Sequence, residues 1–280
     1  MCRQHRVRVL CRVLGVSPSG YYEWRDRAPS ERSCENTRLL IYIRIAHRLS
    51  RERYGSPRIY HELLAQSVPC GRHRVERLMR KYHILAKRRR RYRVTTTNKP
   101  GMEWVKDLLD RAFTPERVNM KWAADITYLW TQEGWMYLAV VMDLYSRRIV
   151  GWAIEPYLTD DLPLKALRAA IQVRRPPKGL IHHSDRGSQY GSKRYRDLLG
   201  DHGMVSSMSE KGDCWDNAPV ESFFSTLKRE QGEVFETRDH ARREIFDFIE
   251  VWYNRQRRHS TLEYSSPADY ESRHALAIEA

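Results

Sequence analysis

The stretch from 122 to 154 constrains the fold more than any other part of the chain. Residues 122–130 alternate, with Trp122, Ala124, Ile126 and Tyr128 on one face and Asp125, Thr127 and Leu129 on the other, which is the two-residue period of a strand. Gln132-Glu133-Gly134 then turns the chain into 135–144, an almost unbroken apolar run expected of a strand buried on both faces. After Tyr145-Ser146-Arg147-Arg148 a third strand covers 149–154, so three antiparallel strands follow one another in a meander. One carboxylate, Asp125, emerges from the first strand among apolar neighbours, where an acid needs a reason.

The elements after the meander complete a recognisable order. Residues 159–173 form a helix with Leu164, Leu167 and Ile171 inward and Pro163 in its first turn, and Pro176-Pro177-Lys178-Gly179 stops it. A fourth strand at 180–183 ends at Asp185, a helix lies around 195–199, and a short strand follows near 204–206. A last helix carries Val220, Phe223, Phe224 and Leu227 as a buried stripe at spacings of three and four. The order β-β-β-α-β-α-β-α matches a ribonuclease H-like α/β fold with a mixed five-stranded sheet.

Three acids stand on these elements: Asp125, Asp185 and Glu221. Crowded together without a counter-ion, they would raise one another's pKa. Two hard divalent cations about 3.5–4 Å apart, held by oxygen ligands, would relieve that repulsion and stabilise the attacking and leaving oxygens of a phosphoryl displacement. Glu221, Ser225 and Lys228 share the face beside the apolar stripe, which aligns an acid for metal with a cation for phosphate. Asp143 is the competing strand carboxylate, but it ends its strand beside Ser146, Arg147 and Arg148, and a turn-stabilising ion pair accounts for it. Glu221 also suits the dipole of a helix first turn, although Ala218 excludes a strict capping box; Asp216 and Asn217 are expected to form the capping turn. His182 and His183 are adjacent and point to opposite sides of their strand, so they cannot chelate one ion together.

The first hundred residues are different in kind. They hold 25 of the 50 lysines and arginines but 7 of the 35 acids, a balance of +18 against −3 over the remainder. Residues 3–14 place Val7, Leu10, Val13 and Leu14 on one helical face; Gly15 follows, and Ser17-Pro18 starts a second helix to about Arg27 bearing Tyr21, Tyr22 and Trp24. A longer helix spans 35–49, and Tyr54-Gly55-Ser56-Pro57 opens the next, whose core face is Ile59, Leu63 and Leu64. The helix at 72–82 buries Val75, Leu78, Met79 and Tyr82 and is expected to present Arg72, Arg74, Arg77, Arg80 and Lys81 outward, as a DNA-recognition helix would. Lys87, Arg88, Arg89, Arg90, Arg91 and Arg93 follow with no interleaved acid, a run that gains nothing without a polyanion.

Five cysteines at 2, 11, 34, 70 and 214 give neither a zinc ribbon nor a disulfide framework, as expected of a reduced, intracellular protein. The apolar run 136–142, even extended by Trp135, is too short to span a bilayer, and Arg3, Arg6, Arg8 and Arg12 break up any leader-like start. The expected organisation is a helical region at 1–34, a basic helix-turn-helix-like region at 35–94, a linker at 95–118, a catalytic core at 119–235 and a helical extension at 236–280.

Taken together, Trp122-Ala-Ala-Asp125-Ile-Thr-Tyr128, His183-Ser-Asp185-Arg-Gly-Ser-Gln-Tyr190 and Asp216-Asn-Ala218 with Glu221 and Lys228 resemble the integrase-core DDE transposases of bacterial insertion sequences, relatives of retroviral integrases. Thirty-five residues separate Asp185 from Glu221, the spacing for which that family is named. Tyr253-Asn254, Arg258-His259 and Ser266-Pro267 also fit its pattern, and the resemblance covers roughly 40–275. It implies that Asp125, Asp185 and Glu221 bind two magnesium or manganese ions and that Lys228 contacts the element's end. It further implies 3′-end cleavage and strand transfer, homo-oligomers on element-end and target DNA, and a cytoplasmic, nucleoid-associated protein. In that family an upstream reading frame supplies a helix-turn-helix end reader, joined by frameshifting; the capped unit at 56–82 and the doubtful one near Met1 leave little room for such a reader here. The zinc domain of retroviral integrases is absent. The rival readings are a ribonuclease H-like nuclease without strand transfer and a catalytically inactive DNA-binding regulator.

Overall fold

The computed structural model describes residues 6–87, 107–109, 113–209, 217–232 and 234–278. The chain divides after Ala86 into two compact units. Arg88 to Arg91, Arg93 and most of the 95–118 segment lie outside the described residues, as do Asp213 and Asp216.

The first unit is a set of helices: α1 (Val7–Leu14), α2 (Pro18–Asp26), α3 (Glu31–Leu49), α4 (Ser56–Ala65) and α5 (Arg72–Lys81). Its core is small, with Leu39, Leu40, Ile43, Ile59, Leu63, Val75, Leu78 and Met79 buried between α3, α4 and α5. Ser17 caps α2 through a hydrogen bond from the Gly20 N–H (3.0 Å), as its position before proline implies. The stripe expected on α1 is covered only in part: Val7 and Leu10 are half-buried, Val13 and Leu14 face solvent, and Cys11 is the fully buried residue of the helix. Ser56 is the first residue of α4 and does not cap it; Gly55 holds the cap position without a side-chain bond. Leu64 and Tyr82, expected in the core, are exposed, and the Tyr82 ring lies instead beneath Arg44 and Lys81.

The second unit contains one mixed sheet. Strands β1 (Lys121–Thr131), β2 (Gly134–Asp143) and β3 (Ile149–Glu155) form the meander; α6 (Asp161–Arg174), β4 (Ile181–Ser184), α7 (Lys193–Asp201), β5 (Val205–Met208) and α8 (Ala218–Gln231) follow in the expected order. The strand order is β3-β2-β1-β4-β5, with β4 and β5 parallel to β1. A sixth strand, β6 (Val234–Phe235), pairs with the end of β1; two residues carry no periodicity from which to read it. One sheet face packs on α6 through Trp122, Ala124, Ala139 and Val141 against Leu164, Leu167 and Ala170. That packing is close: a Cβ at Gly151 would overlap the α6 backbone at Ala166 and Ala170, so no other residue fits there.

The residues after β6 are built into this unit. Helix α9 (Arg238–Phe246) runs into a π-helical stretch at Asp247–Tyr253, and α10 (Pro267–Ile278) follows. Phe223 of α8 stacks edge-on against Tyr253 (4.7 Å). Buried Glu230, at the end of α8, accepts hydrogen bonds from Trp252 Nε1 (2.9 Å) and Arg257 Nε (3.0 Å). Asn254 pairs with both backbone groups of Ile149, the first residue of edge strand β3, in the manner of another strand. Among the described residues no helix is long and apolar enough to cross a membrane.

Candidate active site

Asp125 and Asp185 are brought together by strand register. β1 and β4 pair in parallel as far as Ala124 and Ser184, so the next residue on each strand is one of the two aspartates. There the strands part. β4 ends and β1 continues for seven more residues, while β6 joins the same edge only at Trp130. Residues 125–129 therefore line a notch in which β1 has no strand neighbour on that side. Ligands of open α/β sheets bind where strands diverge at their carboxyl ends.

Helix α8 supplies the third acid. Asn217, at its N-cap, does not cap the helix; its Nδ2 donates 3.1 Å to the carbonyl of Ala124, the residue before Asp125. This buried bond fastens the start of α8 to β1, while Val220, Phe223, Phe224 and Leu227 are buried. Glu221 in the first turn remains exposed, and Lys228 lies two turns on, with its Nζ 4.8 Å from the centre of the Tyr128 ring. The Asn217 contact spans more than ninety residues, so the sequence disclosed the helix start but not what it grips.

The electrostatics link these residues. Asp125 is held well above the usual carboxylate range, first by burial, then by the charge of Asp185 and also of Glu221; the Ile126 N–H (2.7 Å) and Lys228 oppose the rise. Burial also raises Asp185, against a hydrogen bond from the Gly187 N–H (3.0 Å), and raises Glu221. Asp185 and Glu221 thus both push Asp125 toward its neutral form. Among the described residues no three His, Cys, Asp or Glu side chains are gathered tightly enough to form a ready-made ion cage.

The two histidines occupy opposite sides of β4, as alternation requires. Buried His182 hydrogen-bonds the Tyr195 hydroxyl (3.1 Å), and burial with the neighbouring His183 lowers it to about 3, so it is neutral. His183 bonds Ser207 Oγ through Nδ1 (2.9 Å). Asp143 is fully buried and accepts backbone N–H bonds from Asn119 (2.8 Å) and Tyr145 (2.9 Å). Its ion-pair partner is Arg174 of α6 (3.4 Å) rather than the adjacent Arg147 or Arg148, because the strand end is buried against α6. Arg174 also binds Glu271 of α10 at 2.8 and 2.9 Å, and Glu271 accepts from Arg148 and Ser146, both at 2.7 Å.

Of the cations expected on the DNA-facing helix, Arg72, Arg77, Arg80 and Lys81 are exposed, as is Lys87 beyond it. Arg80 pairs with Glu76 one turn back (2.8 Å). Arg74 is not part of that face: its guanidinium crosses to α3 and binds Glu35 and Asn36, each at 2.8 Å, so this arginine joins helices.

Comparison with known proteins adds an independent line. A family model described as an integrase core domain matches residues 115–214, another of the same description matches 202–267, and an HTH-like domain model matches 35–92. The chain is 45% identical over 271 residues to the "Insertion element IS600 uncharacterized 31 kDa protein" of Shigella sonnei, covering 96% of this chain and 100% of that one. It is 40% identical over 276 residues to "Transposase InsF for insertion sequence IS3A" of Escherichia coli (strain K12), covering 95% and 94%. Among solved structures it is similar to the HTLV-2 integrase catalytic core domain, described in complex with magnesium, at 14% identity and a TM-score of 0.44 over 56% of this chain and 98% of that one.

Proposed function

This chain belongs to the integrase-core DDE transposases of insertion sequences, and from that premise we propose that Asp125, Asp185 and Glu221 carry a metal-dependent cleavage of DNA 3′ ends followed by strand transfer. The observation that supports this reading is the β1–β4 register, which sets Asp125 and Asp185 side by side in a notch at the diverging strand ends, where Asp185 and Glu221 both push Asp125 up. An oxygen-only donor set with surplus negative charge fits magnesium or manganese. Asp125, Asp185 and Glu221 would hold the metal, as two ions, which when bound supply an activated water and stabilise charge on the leaving oxygen.

The chain's own residues then divide the work. The β1–β4 register fixes the two aspartates relative to each other, and Asn217 fixes the helix that carries Glu221. Lys228 would bind a phosphate beside the scissile one, a role supported by its charge reaching Asp125. Arg72, Arg77, Arg80, Lys81 and Lys87, with Arg88, Arg89, Arg90, Arg91 and Arg93 beyond them, supply affinity for DNA irrespective of sequence. Arg74 contributes through the helix packing just described. End recognition falls to an upstream-frame helix-turn-helix protein, fused or partnered, within a homo-oligomer assembled on the DNA in the bacterial nucleoid.

The test uses labelled element ends with a supercoiled target, magnesium or manganese, and this chain with and without the upstream-frame fusion. Joined product is expected; hydrolysis with no joined product under any of these conditions would turn the reading into that of a nuclease.

A further inference from the structure

The notch beside Asp125 opens onto an aromatic cluster. Tyr128, Trp130 and Trp135 are 36%, 41% and 45% exposed, although each is large enough to contribute substantially to a core. Their rings form a chain of edge-on contacts, Tyr128 to Trp135 at 5.4 Å and Trp135 to Trp130 at 4.8 Å. Trp130 and Trp135 are directly paired across the β1–β2 hairpin, and the turn between them is pinned. Thr131 Oγ1 donates to the Gly134 carbonyl (2.7 Å) and accepts from the Glu133 N–H, and Glu133 in turn accepts from the Arg238 N–H (2.8 Å). The rings are therefore set by backbone pairing and stay open to solvent.

Their position matters. Tyr128 and Trp130 lie three and five residues past Asp125 on the same strand, roughly 10 and 17 Å along it at strand rise and with side chains on the opposite sheet face, so the open strand edge at 125–129 is what joins them to the acids. Lys228 connects the two regions, since its ammonium lies over Tyr128 while its charge also acts on Asp125. Arg238 lies at the far end, with its guanidinium against Gly134. Acids, then a cation, then three exposed rings, then a second cation follow one edge of the sheet. Cross-strand stacking stabilises a hairpin whether or not the rings are exposed; the flanking cations continuous with the acidic notch are what select a polyanion with stackable faces. Positive charge tracking a backbone beside aromatic side chains is how proteins hold unpaired nucleotides.

We infer that Tyr128, Trp130 and Trp135 form a stacking platform for unpaired bases a few nucleotides from the scissile phosphate, reached around the open edge of β1, so that this transposase holds the DNA flanking its cut unstacked from the duplex. The inference rests on the catalytic reading for which strand end arrives there, but its test does not require cleavage.

The probe is a 12-nucleotide single strand with 2-aminopurine at one position, whose fluorescence falls when the base stacks, together with the same sequence as a duplex. The full chain is compared with Trp130→Ala/Trp135→Ala and with Trp130→Phe/Trp135→Phe, each checked for an unchanged circular dichroism spectrum. The intact chain is expected to quench the single-stranded probe several-fold. The double alanine variant should lose most of that quenching and bind the single strand about 5- to 150-fold more weakly, the loss of one stacked base. Its duplex affinity should be unchanged, and the phenylalanine variant should recover most of the signal. Equal quenching by all three proteins, or equal loss of affinity for single strand and duplex, would overturn the platform. A change in oligomeric state in the alanine variant without a change in quenching would make the rings a protein interface instead. Loss of cleavage by the intact chain with quenching preserved would count against the catalytic reading and leave the platform standing.

Discussion

Two acidic clusters sit on the same pair of strands and differ in one respect. Asp125 and Asp143 both belong to the β1–β2 hairpin, with Asp143 paired opposite Trp122, and burial raises both. Around Asp143 the burial is answered: two backbone N–H groups, Arg174, and through it Glu271 and Arg148 balance the charge. Arg174, with Ser146 and Arg148, holds Glu271 below its usual pKa even though burial acts the other way. Around Asp125 the neighbours are Asp185 and Glu221, and the compensation is one backbone N–H and a more distant lysine. A buried acid is therefore no signature of chemistry by itself. An acid set against other acids, as Asp125 is, stands apart because a proton or a cation has to offset the repulsion.

The comparison breaks most visibly in activity. Asp125→Asn, Asp185→Asn and Glu221→Gln are each expected to reduce end cleavage about 10⁴-fold, roughly 5 kcal/mol of transition-state stabilisation, with DNA affinity within a few-fold and no loss of unfolding midpoint. Retained cleavage in any one of them removes that residue from the site. The opposite pattern is expected at the other cluster. Asp143→Ala or Glu271→Ala should cost about 3–5 kcal/mol in denaturant unfolding, since each strands charged partners in the interior, while cleavage per folded molecule stays near normal. A cleavage defect in Asp143→Ala at an undiminished midpoint would move Asp143 into the active site. The smallest effect sharpens the contrast: magnesium or manganese at a hundred times its Kd should stabilise the intact chain by about 2.7 kcal/mol in thermal unfolding. Glu271→Ala should keep that increment and Asp125→Asn lose it; an equal increment in both would place the bound ion elsewhere.

What could be read from the sequence was what short periods encode. The alternation at 122–130 and the stripe of Val220, Phe223, Phe224 and Leu227 gave β1, α8 and the faces of their acids, because each pattern repeats within a few residues. The run of strands and helices gave the order of elements along the chain for the same reason. Asn217 was legible as a helix start but not as a clamp on Ala124, and Glu271 carried no local signal, because its partners lie 97 to 125 residues away. Arg74 misled in the same manner: position on the helix predicted exposure, and a pair 39 residues back along the chain decided otherwise. Trp130 and Trp135 fell on strand positions that alternation treats as ordinary, and only the end of β4 reveals that they flank an open edge.

The Glu271 hub has a consequence in time as well as in space. The ribosome completes the three meander strands and α6 long before it reaches α10, so Asp143, Arg148 and Arg174 emerge with two guanidinium groups to one carboxylate and wait for the residue that evens the count. A product truncated ahead of α10 would carry Asp125, Asp185, Glu221 and Lys228 intact yet leave that surplus charge inside the fold. One late carboxylate thus ties the charge balance at the end of the meander to a helix made after it.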